Sequence, residues 1–119
     1  MRLLIVEDEP FIAADLESLT AELGHEVVGV ADTKAMALDM AKSTTPDAAL
    51  LDLKLRDGFT GSEIAQALAA DFHLPFAFVT GNTETLPTGA FGAVAVVAKP
   101  FTDEQVRQAL AALEALRAA

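Results

Sequence analysis

Residues 50–55 read LLDLKL, and because Ala48 and Ala49 precede them, Asp52 stands directly behind four apolar residues. A carboxylate in apolar surroundings is costly unless a partner compensates it. Either Asp52 ends a strand and points into water, or a parallel sheet holds it at a ligand site where a metal or a phosphoryl group meets it. What the rest of the chain brings to the same place decides between the two.

Working outward from Asp52, the apolar run from Ala48 to Leu53 predicts a strand. It is followed by a polar turn with Asp57, Gly58 and Gly61 and by a helical stripe of Ile64, Ala65, Leu68 and Phe72. A strand from Phe76 to Val79 comes next, closed by Thr80 and Gly81. On the other side, Leu3 to Val6 is an apolar strand that runs into Glu7, Asp8 and Glu9, with Pro10 suited to the first turn of a helix. Ile12, Leu16, Leu19 and Leu23 continue that helix, and Gly24 stops it. The unit repeats, with a strand from Val27 to Ala31 and a helix capped by Asp32 or Thr33 that ends at Thr44, Thr45 and Pro46. In the segment NTETLPTGAFG (82–92), Pro87, Gly89 and Gly92 leave room only for a short or irregular helix. A fifth strand spans Ala93 to Ala98, and Thr102 with Gln105 forms a capping-box pattern ahead of Val106, Leu110, Leu113 and Leu116.

Five short strands alternating with helices, several apolar on both faces, predict an α/β fold: one parallel sheet covered on both sides. Right-handed crossovers place helices on both faces only if the strand order reverses somewhere, and ligands bind at that reversal, outside the carboxyl ends of the strands. The 119 residues suit one domain, 1–119, with no output domain beside it. An apolar share of 52% and a mean hydropathy of +0.36 exclude disorder. No apolar run has the length of a membrane span, the N-terminus turns acidic too early for a signal peptide, and the expected location is cytoplasmic. The lack of cysteine excludes disulfides and thiolate sites. A net charge of −10 argues against nucleic acid and anionic membrane as partners. His25 and His73, at a helix-to-strand turn and a strand entry, are expected on the surface rather than as ligands.

The chemically conspicuous residues all fall at the carboxyl ends of predicted strands: Glu7 and Asp8 after the first, Asp52 in the third, Thr80 after the fourth and Lys99 after the fifth. In the strand order 2-1-3-4-5 the first and third strands are neighbours, which brings three carboxylates together. Their mutual repulsion is relieved by a hard divalent cation, magnesium or manganese. Thr80 offers a hydroxyl, Lys99 a positive charge that reaches an anion from the far side, and Asp52 a nucleophile that yields an acyl phosphate.

IVEDEP (5–10), LLDL (50–53), FVTG (78–81) and AKPF (98–101), in this order, resemble the receiver domain of two-component response regulators over essentially the whole chain. The resemblance implies a flavodoxin-like doubly wound sheet in the order 2-1-3-4-5, with about five helices, the fourth short or irregular. It implies that Asp52 accepts a phosphoryl group from a histidine kinase or a histidine phosphotransfer protein. It further implies that Asp8, Asp52 and the Lys54 carbonyl bind magnesium, with Glu7 acting through a water, that Thr80 bonds the phosphoryl group, and that Lys99, before a cis Pro100, pairs with it. Lys54 and Asn82 flank the phosphoryl group and tune its lifetime, while Gly81 leaves a gap for the donor. Such a protein signals to a downstream protein target as a monomer or weak homodimer.

The pattern departs from many receivers at Val96, where an aromatic ring usually stands, so that Phe91 or another phenylalanine is left to substitute and phosphorylation is expected to reorder residues 82–92. FVTG partly matches an atypical single-domain subgroup with an FATG-like motif. Three other functions compete: a phosphate sink, a receiver that binds partners without phosphorylation, and a phosphatase of the haloacid dehalogenase class. The last needs an aspartate two residues after the nucleophile, where this chain has Lys54. The absence of GxxxxGK[ST] excludes a P-loop enzyme.

Overall fold

The computed structural model describes residues 1–86 and 89–118. Five strands, β1 (Arg2–Val6), β2 (Glu26–Ala31), β3 (Ala48–Leu51), β4 (Phe76–Thr80) and β5 (Val96–Ala98), pair in parallel in the order β2-β1-β3-β4-β5. Four helices connect or follow them: α1 (Pro10–Glu22), α2 (Lys34–Thr44), α3 (Gly61–Ala70) and α4 (Asp103–Ala118). Alternation along β1 shows how one strand serves two cores. Leu3 and Ile5 pack with Leu16 and Leu19 of α1 and with Val106, Leu110 and Leu113 of α4. Leu4 and Val6 face Ala37 and Ala41 of α2 and Ile64 and Leu68 of α3. The reversal of strand order therefore lies between β1 and β3.

Local chemistry explains the boundaries. Pro10 opens α1, Thr33 caps α2 by accepting from the Met36 N–H (3.3 Å), and Thr102 and Gln105 exchange both bonds of the capping box at 2.8 and 3.2 Å. Among the described residues there are four helices rather than five. Among the described residues, the stretch expected to hold a fourth of five contains only two 3-10 turns, Thr83–Thr85 and Ala90–Gly92; Pro87 lies outside the described residues. Gly89 and Gly92 adopt positive φ, and Phe91 does so as well (φ 54), which breaks helical hydrogen bonding there. β3 ends at Leu51, two residues earlier than expected, so Asp52 and Leu53 lie just past the ladder. β5 begins at Val96 rather than Ala93, and α3 stops at Ala70, short of Phe72.

His73 is exposed, as expected, but His25 is not: its side chain is only 7% accessible. Its Nδ1 accepts from the Met1 amino group at 2.9 Å, and its Nε2 lies 3.9 Å from Glu114 of α4. A turn residue at the start of β2 is covered here because α4 returns across it, a contact between residues far apart in sequence.

Candidate functional site

Each candidate side chain but Asp8 is held at a strand end. The Glu7 N–H donates to the Ala31 carbonyl (2.9 Å), fixing the residue after β1 to the end of β2. The Asp52 N–H donates to the Val6 carbonyl (3.0 Å), and the Lys99 N–H to the Thr80 carbonyl (3.0 Å). The sheet thus extends one residue past the core on β1, β3 and β5, and delivers Glu7, Asp52, Thr80 and Lys99 to one rim. Asp8, with no such anchor, is the more open of the acidic residues.

Glu7, Asp52 and Thr80 are almost wholly buried. Carboxylate oxygens of Glu7, Asp8 and Asp52 all lie within 4.8 Å of one another, the juxtaposition expected from the strand order. Lys99 Nζ donates to Asp52 Oδ2 (2.7 Å) and also to Glu7 Oε1. The remaining oxygens take backbone donors, the Leu53 N–H at Asp52 Oδ1 (2.7 Å) and the Glu9 N–H at Glu7 Oε2 (3.1 Å). Burial pushes the Glu7 carboxyl above the ordinary range, against the pull of Lys99; burial also opposes charge on Lys99, but Asp52 and Glu7 outweigh it and hold its pKa up. One cation thus offsets two buried carboxylates, while Asp8 adds a third at the open side. Oxygen donors with open space suit a hard divalent ion.

Thr80 Oγ1 accepts from the Asn82 N–H (3.2 Å) and keeps its own proton to donate. Beside Gly81 there is open space: a Cβ built there meets nothing within 4 Å. The Lys99–Pro100 bond is cis. The Lys54 side chain is exposed and lies over the Phe59 ring, 6.0 Å from its centroid. Val96 leaves no ring in β5; Phe91 instead packs edge-on against Phe78, with centroids 6.4 Å apart.

Two features were not singled out from the sequence. A Cβ on Gly61 would lie 2.2 Å from the Asp52 carbonyl oxygen and 2.5 Å from the Leu53 Cα, so only glycine lets α3 start directly against the strand end that carries Asp52. The turn after Asp52 is also clasped to the start of α2: Asp57 accepts from the Lys34 N–H (3.1 Å) and the Thr60 hydroxyl (2.7 Å), bonds that hold its carboxyl below the usual range. The one available signal for Gly61 was a glycine opening a helical stripe, where helix propensity disfavours it.

A doubly wound sheet with an acidic pocket and a lysine at its switch point defines a class, and comparison with known proteins gives the family. Residues 3–111 match the response regulator receiver domain, and the chain belongs to that family. It is 42% identical over 106 residues to the phyllosphere-induced regulator PhyR of Methylorubrum extorquens, covering 87% of this chain and 40% of that protein. It is 36% identical to the transcriptional regulatory protein PdtaR of Mycobacterium tuberculosis, covering 85% of this chain and 50% of that one. The chain therefore spans half or less of these curated relatives. Among solved structures, SdrG from Sphingomonas melonis Fr1 is 43% identical with a TM-score of 0.80, covering 96% of both chains. The anti-anti-sigma factor PhyR from Bartonella quintana is 32% identical with a TM-score of 0.85, covering 98% of this chain and 48% of that one. The chain is thus a two-component signalling receiver with the flavodoxin-like order 2-1-3-4-5, and among the described residues no helix is long and apolar enough to cross a membrane.

Proposed function

We propose that the chain accepts a phosphoryl group on Asp52 from a histidine kinase or histidine phosphotransfer protein, and signals through a protein contact that depends on it. The observation that carries this is the buried Asp52 carboxylate, held 2.7 Å from Lys99 within a pocket of three acids. In the transfer, an Asp52 carboxylate oxygen forms a bond to phosphorus as the bond from phosphorus to the donor breaks, leaving an acyl phosphate. Asp8, Asp52 and the Lys54 carbonyl, with Glu7 through a water, would hold a magnesium or manganese ion, which when bound would neutralise phosphoryl oxygens. Lys99 then exchanges a carboxylate for a phosphoryl oxygen, the Thr80 hydroxyl turns its proton to another, and residues 82–92 rearrange around Phe91 in place of a β5 aromatic. Lys54 and Asn82 flank the acyl phosphate and govern the approach of water to it.

A relative described as an anti-anti-sigma factor supports a protein target over nucleic acid, as does the net charge of −10. Placement in the cytoplasm, where a kinase would meet the chain, belongs to the same proposal. Intact mass after incubation with acetyl phosphate and magnesium tests it. One added phosphoryl group, absent in Asp52→Ala and without magnesium, is the expected result. No addition from either acetyl phosphate or a phosphorylated histidine donor, in a folded protein, would leave a receiver that binds partners without phosphorylation.

A further inference from the structure

The segment between Asp52 and α3 makes its polar contacts with the far side of the sheet. In the order β2-β1-β3, β1 separates the ends of β2 and β3, a span of about 10 Å at ordinary strand spacing. The Arg56 N–H nevertheless donates to the Asp32 carbonyl just after β2 (3.1 Å), and its guanidinium lies 3.4 Å from the Asp32 carboxylate. Asp57 reaches the next element. One of its oxygens accepts from the Lys34 N–H at the start of α2 (3.1 Å), the other from the Thr60 hydroxyl (2.7 Å). The segment therefore crosses the carboxyl end of β1, where Glu7 and Asp8 stand, and Lys54 lies midway between Asp52 and Arg56.

The crossing is shaped as well as tied. Leu55 and Gly58 exchange both backbone bonds, at 2.8 and 3.0 Å, with Gly58 at φ 108. The carbonyls on either side of Lys54 are occupied, that of Leu53 by the Gly61 N–H (2.9 Å) and that of Leu55 by the Gly58 N–H (3.0 Å). Among the described residues no donor takes the carbonyl of Lys54. α2 has a cap of its own, Thr33, which accepts from the Met36 N–H (3.3 Å). The bond from Asp57 to Lys34 thus serves the turn more than the helix.

We infer that Asp57 is a positioning residue for the metal centre: by tying the turn to the start of α2, it holds the Lys54 carbonyl ready for the divalent cation. This rests on the ligand set proposed above. Carboxylates draw a cation by charge and adjust to it, whereas a neutral carbonyl contributes only where the backbone has already placed it. Asp57 is the side-chain part of the clasp, and the exposed ion pair of Arg56 with Asp32 is a weak substitute for it.

The test titrates magnesium alone into the unphosphorylated protein by calorimetry, and follows phosphoryl uptake from acetyl phosphate against magnesium concentration. Asp57→Ala should bind magnesium about tenfold more weakly, the low end for residues that orient a ligand, since the Arg56 backbone bond remains. Its uptake should need correspondingly more magnesium yet reach the same rate at saturation. Asp57→Asn should match the unaltered chain, its amide oxygen accepting from Lys34 and its NH2 donating to Thr60. Thr33→Ala, which loosens the same helix start without touching the turn, should leave magnesium affinity unchanged.

Unchanged affinity in Asp57→Ala would overturn the assignment. So would Asp57→Asn binding as weakly as Asp57→Ala, which would reduce the effect to lost charge, or Thr33→Ala binding as weakly, which would reduce it to a loosened α2. An unaltered chain that binds no magnesium would remove the ligand set itself and the positioning role with it, an outcome distinct from binding that Asp57→Ala leaves intact. Asp57 is exposed, and native-like spectra of the variants guard against misfolding.

Discussion

Asp52 tolerates its apolar approach because its charge is matched on two sides, by Lys99 at 2.7 Å and by the Leu53 N–H at 2.7 Å, while a backbone bond from its own N–H to the Val6 carbonyl keeps the residue in place. The position therefore depends on neighbours with no chemistry of their own. Gly61→Ala would put a methyl group 2.2 Å from the Asp52 carbonyl oxygen, against backbone that cannot give way as a side chain would. It should cost about 2–3 kcal/mol in urea unfolding. The displaced group belongs to the residue proposed to accept the phosphoryl group, so phosphoryl uptake by the fraction still folded should fall as well; undiminished uptake would mean that Gly61 serves packing alone. Lys99→Met acts in the opposite sense on the metal. Removing the cation leaves Glu7, Asp8 and Asp52 unmatched, so calorimetry should find magnesium bound more tightly than in the unaltered chain while phosphoryl uptake is lost. Weaker magnesium binding would show that Lys99 holds the carboxylates in their ligating arrangement rather than competing for them.

The elements divide into those fixed by local chemistry and those fixed by contact. α4 belongs to the first group: Thr102 and Gln105 satisfy each other's backbone donors, and Val106, Leu110 and Leu113 bury one stripe. Thr102→Ala should cost about 1 kcal/mol, as loss of an N-cap does elsewhere, with no change in site chemistry; thermal unfolding and phosphoryl uptake measured together would show whether both halves hold. Capping and periodicity are also why α1, α2, α3 and the order of strands and helices were legible in the sequence. The grouping at the candidate site was legible for a related reason, since Glu7, Asp52, Thr80 and Lys99 each stand at the carboxyl end of an apolar strand, and topology alone then gathers them. What was hidden depends on contacts between distant residues. The end of β3 at Leu51 and the start of β5 at Val96 reflect how far each strand finds a partner, and the seat of Phe91 on Phe78, in a stretch expected to hold only a short or irregular helix, is likewise a contact made by the fold. Gly61 looked like a turn residue because its reason, the Asp52 carbonyl, comes into reach only when α3 folds back.

Across the whole molecule, the acidic rim and the opposite end of the sheet respond to different conditions. His25 sits at the far end, joining the start of β2 to Met1 and to Glu114 of α4. Burial holds its pKa below the ordinary 6.5, the positive Met1 amino group adds to this, and Glu114 opposes both. The hydrogen bond at Nδ1 places the ring proton on Nε2, so the neutral ring fits this packing. A histidine with a lowered native pKa binds fewer protons folded than unfolded, so stability is full above pH 6.5 and declines as pH falls from 6.5 through the lowered value. Over the interval from about pH 7 to 6 the lowered Asp57 carboxyl stays ionised, and the raised Glu7 carboxyl, at the other end of the sheet, contributes equally to both proteins, so a comparison with a His25 variant isolates the histidine. Urea unfolding across that interval should show stability falling with pH in the unaltered chain and a flatter profile in His25→Gln, whose amide oxygen still accepts from Met1. If both proteins lose stability in parallel, the acid sensitivity belongs to another group and His25 serves packing alone.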